Sequence, residues 1–132
     1  MAEPEVLPIA QEADVVMVRQ RVRARSAELR FSLVDQTKLV TAASELARNA
    51  LIYGGGGEAR IEILTPGARR GLRVTFTDQG PGIPNIAEAM RDGYTTGVGL
   101  GLGLGGAKRL VNEFEIDSAV GRGTRIAITR WA

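Results

Sequence analysis

Apolar and polar residues alternate along this chain with two different periods, which divide it into helices and strands. Apolar residues recur at roughly helical spacing over residues 14–29 and 33–53, which predicts two helices, the second ended by Gly54–Gly57. Every second residue is apolar over 58–64 and 71–77, which predicts a hairpin of two strands around Pro66-Gly67. Residues 14–77 are therefore predicted to form two helices followed by a hairpin.

Shorter patterns complete the predicted element order. They are a strand over 6–10, a helical turn within 87–91, a helix over 106–112, and two final strands over 115–119 and 124–130. Glycine-rich loops precede the third helix. This order predicts a single domain over residues 1–132, in the α/β (α+β) class: a two-layer sandwich with a mixed β-sheet and helices on one face.

Composition restricts the chemistry available to the protein. The sequence has no cysteine and no histidine, which excludes disulfides, thiolate chemistry, Ser-His-Asp catalysis and a phosphohistidine on this chain. Carboxylates, amides, hydroxyls, Lys, Arg and backbone N–H groups remain. No apolar run is long enough for a bilayer and the N-terminus is acidic rather than signal-like, so we expect a cytoplasmic protein without a membrane partner.

The basic residues do not indicate a nucleic-acid partner. The formal net charge is +2, and only six aromatic residues are present. A nucleic-acid surface normally has a larger basic excess with interleaved aromatics. The densest cluster, Arg19, Arg21, Arg23 and Arg25, is predicted to be the solvated face of the first helix, with a protein-binding surface as the alternative.

Three polar or glycine-rich segments carry the candidate chemistry. Glu45 and Asn49 are four residues apart on the second helix, so they share a face, and their oxygens suit a hard cation such as Mg²⁺. Glu45 could order a water molecule or accept a proton from an attacking hydroxyl. Alone, the pair is more typical of an exposed helix face.

The second segment is Asp78-Gln-Gly-Pro-Gly82, at the end of a predicted strand. A carboxylate held by a tight glycine turn can accept a hydrogen bond from an amino group such as that of adenine. Gly80 and Gly82 would let the backbone approach a flat ring closely. Asp, Gly and Pro are also ordinary turn residues, so an unremarkable solvated turn is the alternative.

The third segment is the glycine loop from Gly99 to Gly106. Its leucines, Leu100 and Leu102 among them, would anchor the loop while glycine amides face a phosphate chain, and Lys108 would lie in the first turns of the following helix. Thr95 and Thr96 precede the loop as candidate phosphate ligands or plain loop hydroxyls. Thr124 follows the turn Gly121-Arg-Gly123, which is predicted to be a hairpin turn with a contact to the base.

In this order, the segments resemble the ATP-binding motifs of the GHKL (Bergerat-fold) domains. Glu45-x-x-x-Asn49 is similar to the N box, and Asp78-x-Gly-x-Gly82 and Gly99-x-Gly-x-Gly103 to the two glycine boxes. The closing Gly121-x-Gly-Thr124 also matches. Within the family the chain resembles the anti-sigma-factor type of serine/threonine kinase. The resemblance implies phosphorylation of STAS-domain proteins in partner-switching stress pathways, and binding and activation of a phosphatase.

The resemblance also implies residue roles, with ATP and Mg²⁺ as the cofactors. Asn49 would ligate Mg²⁺, Glu45 would polarise the Ser/Thr hydroxyl, and Asp78 would bind the adenine amine. The remaining nucleotide contacts implied are Gly80, Gly82, Ile83, Thr95, Thr96, Gly99, Leu100, Gly101, Leu102, Gly103, Lys108 and Thr124.

Two alternatives to a kinase remain open. The first is a binding module in which ATP only maintains a shape that sequesters a partner such as a sigma factor or a phosphatase. The second is a detached histidine-kinase catalytic domain, which would need a partner that carries the histidine. The complete Glu45/Asn49 pair favours catalysis, because a pure binder has no need of a base.

Overall fold

The computed structural model describes residues 4–83, 86–90 and 103–132. The elements in chain order are β1 (Glu5–Ile9), α1 (Glu12–Glu28), α2 (Leu33–Ile52), β2 (Gly57–Leu64), β3 (Gly71–Asp78), α3 (Ile86–Ala89), α4 (Gly103–Arg109), β4 (Glu113–Ala119) and β5 (Gly123–Trp131). None of these helices combines the length and apolarity that a bilayer span requires.

The strands form one five-stranded sheet in the order β1-β2-β3-β5-β4. The two-layer α/β architecture is confirmed, but the prediction of a mixed sheet was wrong, because all four described strand pairings are antiparallel. The cause lies in the connections. Helices α1 and α2 together return the chain so that β2 runs against β1, and the short connections 65–70 and 120–122 join β2 to β3 and β4 to β5 as hairpins.

Helices α1 and α2 cover one face of the sheet and enclose the core. Val15, Val18 and Val22 of α1 are fully buried, as are Leu39 and Leu46 of α2. They pack against alternating residues of the strands, which form one cluster with them: Ile9, Ala59, Ile61, Leu72, Val74, Phe76, Ile126 and Ile128. The two-residue alternation predicted for the strands therefore has its physical cause in this single covered face.

Helix boundaries follow from local capping. The Ser32 side chain accepts a hydrogen bond from the backbone N–H of Asp35 at 3.1 Å, which caps α2 as its position before an apolar-periodic run predicts. Arg30, with φ +62°, turns the chain between α1 and α2. The third predicted helix was placed too late. It runs over Gly103–Arg109 rather than 106–112, because Leu110 already leaves the helix.

The arginine cluster lies on α1, as predicted, and is partly paired. Arg21 and Arg25 form ion pairs with Glu5 of β1, and Arg23 donates to the side chain of Gln36 at 3.4 Å. These contacts attach α1 to the first strand and to α2. Arg19 is exposed.

Candidate active site

Three polar side chains lie in one row across the end of the sheet. Asp78, the last residue of β3, is directly opposite Thr124 of β5, and Thr124 is directly opposite Ser118 of β4. Residues directly opposite in an antiparallel sheet project from the same face. The adjacent row is Phe76, Ile126 and Ile116, which belong to the core, so the polar row is on the helix-covered face.

The Asp78 carboxylate is held by the turn that follows it. Its Oδ1 accepts a hydrogen bond from the backbone N–H of Gly80 at 2.9 Å. Its other oxygen has no hydrogen-bond partner among the described residues, and the side chain is only half-buried. One oxygen therefore fixes the orientation while the other is available to a ligand donor.

Glycine at position 54 makes this placement possible. A Cβ there would collide with the Asp78 side chain, and a Cβ on Gly80 would lie 2.6 Å from the Cα of Gly54. The sequence pattern predicts only that Gly54 helps to end the helix. Its contact with Asp78 was missed, because four consecutive glycines give no signal of which one touches the site.

The turn 80–83 is attached to the end of the β4–β5 hairpin. Gly82 has φ +80°, a left-handed conformation that favours glycine, and a Cβ there would collide with the carbonyl of Ala119. The backbone N–H of Gly121 donates to the Pro81 carbonyl at 2.9 Å. The N–H of Ile83 donates to Ser118 Oγ at 2.8 Å. Ser118 was also missed, since a lone serine in a strand carries no motif.

Glu45 and Asn49 are half-buried on α2, at one edge of the face that packs on the sheet. Glu45 Oε2 accepts a hydrogen bond from the backbone N–H of Gly103, the first residue of α4, at 3.3 Å. The Asn49 side chain has no hydrogen-bond partner within the described ranges. A half-buried carboxamide with a free oxygen beside a carboxylate fits a Mg²⁺ ligand.

The two parts of the site are joined through the end of α2. The carbonyl of Asn49 accepts from the N–H of Gly54 at 3.3 Å, and Gly54 contacts the Asp78 side chain. The helix that carries Glu45 and Asn49 therefore ends beside Asp78 of the polar row. The described contacts thus connect the end of α2 to Asp78 through Gly54.

Helix α4 is fixed at its other end by Arg130 of β5. Arg130 donates to the Leu110 carbonyl at 2.9 Å and pairs with Asp35 of α2 at 2.5 Å. The hydrogen bond from Arg130 is the main cause that lowers the pKa of Asp35 below its ordinary value. Arg130 thus ties the end of α4 to the beginning of α2.

Lys108 is exposed in the second turn of α4, which begins at Gly103. Its role in nucleotide binding stays a prediction. The predicted site residues Thr95, Thr96, Gly99, Leu100, Gly101 and Leu102 lie outside the described residues.

The described residues contain no group of three or more His, Cys, Asp or Glu side chains placed to hold a metal ion. Mg²⁺ commonly uses one or two protein ligands together with substrate phosphates and water. Asn49 beside Glu45 fits that mode of binding.

Comparison with known proteins defines the class to which this fold and site belong. Residues 34–131 match the family described as histidine kinase-, DNA gyrase B-, and HSP90-like ATPase, and the chain belongs to this family. Within it, the chain is an enzyme of the serine/threonine-protein kinase class. It is 44% identical over 131 residues to the serine/threonine-protein kinase RsbT of Bacillus subtilis (strain 168), covering 99% of this chain and 98% of that protein.

Further matches have lower sequence identity. The chain is 31% identical over 117 residues to an anti-sigma F factor of Bacillus licheniformis, covering 85% of this chain and 80% of that protein. The fold matches a structure of the RsbU and RsbW domains of Rv1364c from Mycobacterium tuberculosis, with a TM-score of 0.68 and 23% identity, over 98% of this chain and 32% of that one. The mycobacterial sensor histidine kinase MprB has the same fold, with a TM-score of 0.55.

Proposed function

We propose that the protein transfers the γ-phosphoryl group of MgATP to a serine or threonine hydroxyl of a STAS-domain protein, as a cytoplasmic switch kinase in a partner-switching stress pathway. A phosphatase that it binds and activates is the second proposed partner. The observation that carries the proposal is the placement of Glu45 and Asn49 on α2, with that helix ending against Asp78. The similarity to RsbT over 99% of this chain also supports a serine/threonine kinase function.

The nucleotide base would bind at the polar row, at the end of the sheet. The free oxygen of Asp78 accepts from the adenine amino group, and Thr124 lies beside it in register. Gly80 and Gly82 keep the turn close to the ring, with Ile83 next to it. Because Oδ1 of Asp78 is already held by Gly80, the remaining oxygen is oriented before the base arrives.

The phosphate end would be formed by α2 and the glycine loop. Asn49 contributes its amide oxygen to Mg²⁺, which when bound neutralises charge on the phosphates. Gly99 and Gly101 would surround the phosphates with backbone N–H groups. Gly103, Thr95, Thr96, Leu100, Leu102 and Lys108 are the further contacts that the family resemblance implies.

Glu45 has the role of general base in this proposal. The hydroxyl oxygen forms a bond to the γ-phosphorus as the bond to the β,γ-bridging oxygen breaks, and the hydroxyl proton passes to the Glu45 carboxylate. The hydrogen bond from Gly103 orients one oxygen of that carboxylate. Phosphoryl transfer needs positioning and charge neutralisation more than covalent help, and this small set of groups provides both.

A second candidate function is an ATP-dependent anti-sigma factor that sequesters its partner. The 31% identity to anti-sigma F factors favours it as the alternative. The two candidates differ in whether phosphotransfer is essential for the effect on the partner.

The test is incubation with ATP labelled on the γ-phosphate, Mg²⁺ and STAS-domain proteins encoded beside this one. We expect acid-stable label on a serine or threonine of one STAS protein. Acid-labile label on a histidine would favour the histidine-kinase alternative. ATP binding without any transfer would favour the sequestering module.

A further inference from the structure

Helix α2 carries an exposed stripe of residues along the side that faces away from the sheet. Residues three or four apart on a helix share one side. The stripe has this spacing along the whole of α2 and consists of Val34, Lys38, Thr41, Glu45, Arg48 and Ile52. All of them are exposed except Glu45, which is half-buried. The proposed base therefore lies within an accessible surface, which we call the outer stripe of α2.

The two ends of the outer stripe are apolar. Val34 is 62% exposed and Ile52 is 49% exposed. At the rise of an α-helix, Val34 is about 16 Å before Glu45 and Ile52 about 10 Å after it, so the stripe is about 27 Å long. A typical protein interface covers about 800 Å² on each partner, which is a patch about 30 Å across. One docked protein is therefore large enough to cover both apolar ends while it contacts Glu45.

The charged residues of the outer stripe are available to a partner. Lys38 is exposed and forms no ion pair with any residue that the structure describes, and its neighbour Asp35 pairs instead with Arg130. Arg48 pairs with Glu12 at 3.0 Å, but both side chains are largely exposed, 46% and 62%. Such a surface pair contributes little free energy, so a carboxylate from a partner can replace Glu12 at little cost. Both positive charges therefore favour an acidic partner surface.

From this arrangement we infer that the outer stripe of α2 is the docking surface for the phosphoacceptor protein. A kinase of the serine/threonine-protein class has to bring a hydroxyl of a second protein within hydrogen-bond reach of its base. The body of that protein then covers the exposed neighbours of Glu45, which are Thr41 and Arg48, one turn to either side. The inference rests on the proposed function, because it takes Glu45 as the base.

The chemistry of the outer stripe specifies the partner surface that fits it. In the complex, acidic side chains that flank the acceptor serine or threonine pair with Lys38 and Arg48, and apolar side chains cover Val34 and Ile52. Charged contacts at an interface mainly affect the association rate and the orientation, whereas buried apolar contacts mainly provide affinity. Loss of either kind should weaken binding of the acceptor protein and leave ATP binding unchanged, since no stripe residue other than Glu45 belongs to the proposed active site.

The experiment measures phosphotransfer to the STAS-domain acceptor over a range of acceptor concentrations, together with the calorimetric Kd of MgATP. The variants are Lys38→Glu and Ile52→Asp. The matched controls are Arg60→Glu and Val6→Asp, because these two exposed residues are paired in register on the opposite face of the sheet. We expect KM for the acceptor to rise by about fivefold in Lys38→Glu and about tenfold in Ile52→Asp, with kcat and the Kd of MgATP unchanged. The controls should match wild type.

Two further results separate docking from a general loss of structure. Added salt should raise KM for the acceptor in wild type and have less effect in Lys38→Glu, because salt screens the proposed charge contact. A photo-reactive benzophenone side chain in place of Thr41 should cross-link to the acceptor near its phosphorylated residue, whereas one in place of Val6 should not. Wild-type KM values in both Lys38→Glu and Ile52→Asp, or cross-links only from position 6, overturn this inference, while transfer by wild type keeps the proposed function. Absence of transfer to any STAS-domain protein by wild type overturns both.

Discussion

Asp78 and Thr124 are directly opposed across the pairing of β3 with β5, at the end of the sheet where the helix-covered face meets the glycine turn. The Asp78 carboxylate is oriented by Gly80, and its position depends on the missing side chain of Gly54. Helix α2, which carries Glu45 and Asn49, ends at this point. The end of α2 therefore connects the proposed base-binding residues, Asp78 and Thr124, with the proposed phosphate-binding part of the site.

Glu45→Gln should abolish phosphotransfer and retain ATP binding. The amide keeps the size of the side chain and an oxygen that can accept from Gly103, but it cannot take a proton. We expect transfer to fall by about 10²- to 10⁴-fold, measured as single-turnover labelling of the STAS substrate. Glu58→Gln, exposed on β2, is the matched control and should transfer normally. Equal rates in the two variants would contradict the role of Glu45 as base.

Asn49→Ala should weaken the binding of MgATP more than the binding of ATP without metal. The amide oxygen is the metal ligand in our proposal, so its loss matters only when Mg²⁺ is present. Calorimetric Kd values with Mg²⁺ and with EDTA measure the difference. Gln20→Ala removes an amide from the exposed face of α1 and serves as control. An Asn49→Ala protein with an unchanged Kd for MgATP would exclude metal ligation by this residue.

Gly54→Ala should lower ATP affinity by displacing Asp78. The added methyl group collides with the Asp78 side chain, which has to turn away from the base. Gly55→Ala is the neighbouring control: its Cβ meets nothing within 4 Å, but its φ of +72° makes alanine unfavourable by about 1 kcal/mol. Thermal unfolding and ATP titration of both variants separate the effects. If Gly54→Ala binds ATP normally, Asp78 does not contact the base as proposed.

The pair of Asp35 with Arg130 should contribute stability that depends on pH. The pKa of Asp35 is lowered below 3.8 in the folded protein, chiefly by the Arg130 hydrogen bond. A lowered folded pKa gives a contribution that is complete above the unfolded value and is lost as pH falls through the folded value. Asp35→Asn should therefore lower stability at neutral pH and flatten the stability curve in acid. Denaturant unfolding between pH 7 and pH 3 tests both.

Much of the fold could be predicted from the sequence because its signals are local. The apolar period placed α1, α2 and the strands to within a few residues, and the Ser32 cap was visible before an apolar run. Local sequence signals could not predict the direction of strand pairing, because it depends on how α1 and α2 return the chain. The site motifs likewise identified Glu45 and Asp78, whereas the contacts of Gly54 and Ser118 arise only from tertiary packing.

The most direct measurement is a crystal structure with Mg²⁺ and a non-hydrolysable ATP analogue. We expect the adenine amino group within about 2.7–3.2 Å of an Asp78 oxygen. Asn49 should bind the metal, with the Glu45 carboxylate facing the γ-phosphate. An analogue bound elsewhere on the protein, or with its base directed away from Asp78, would contradict the proposed site.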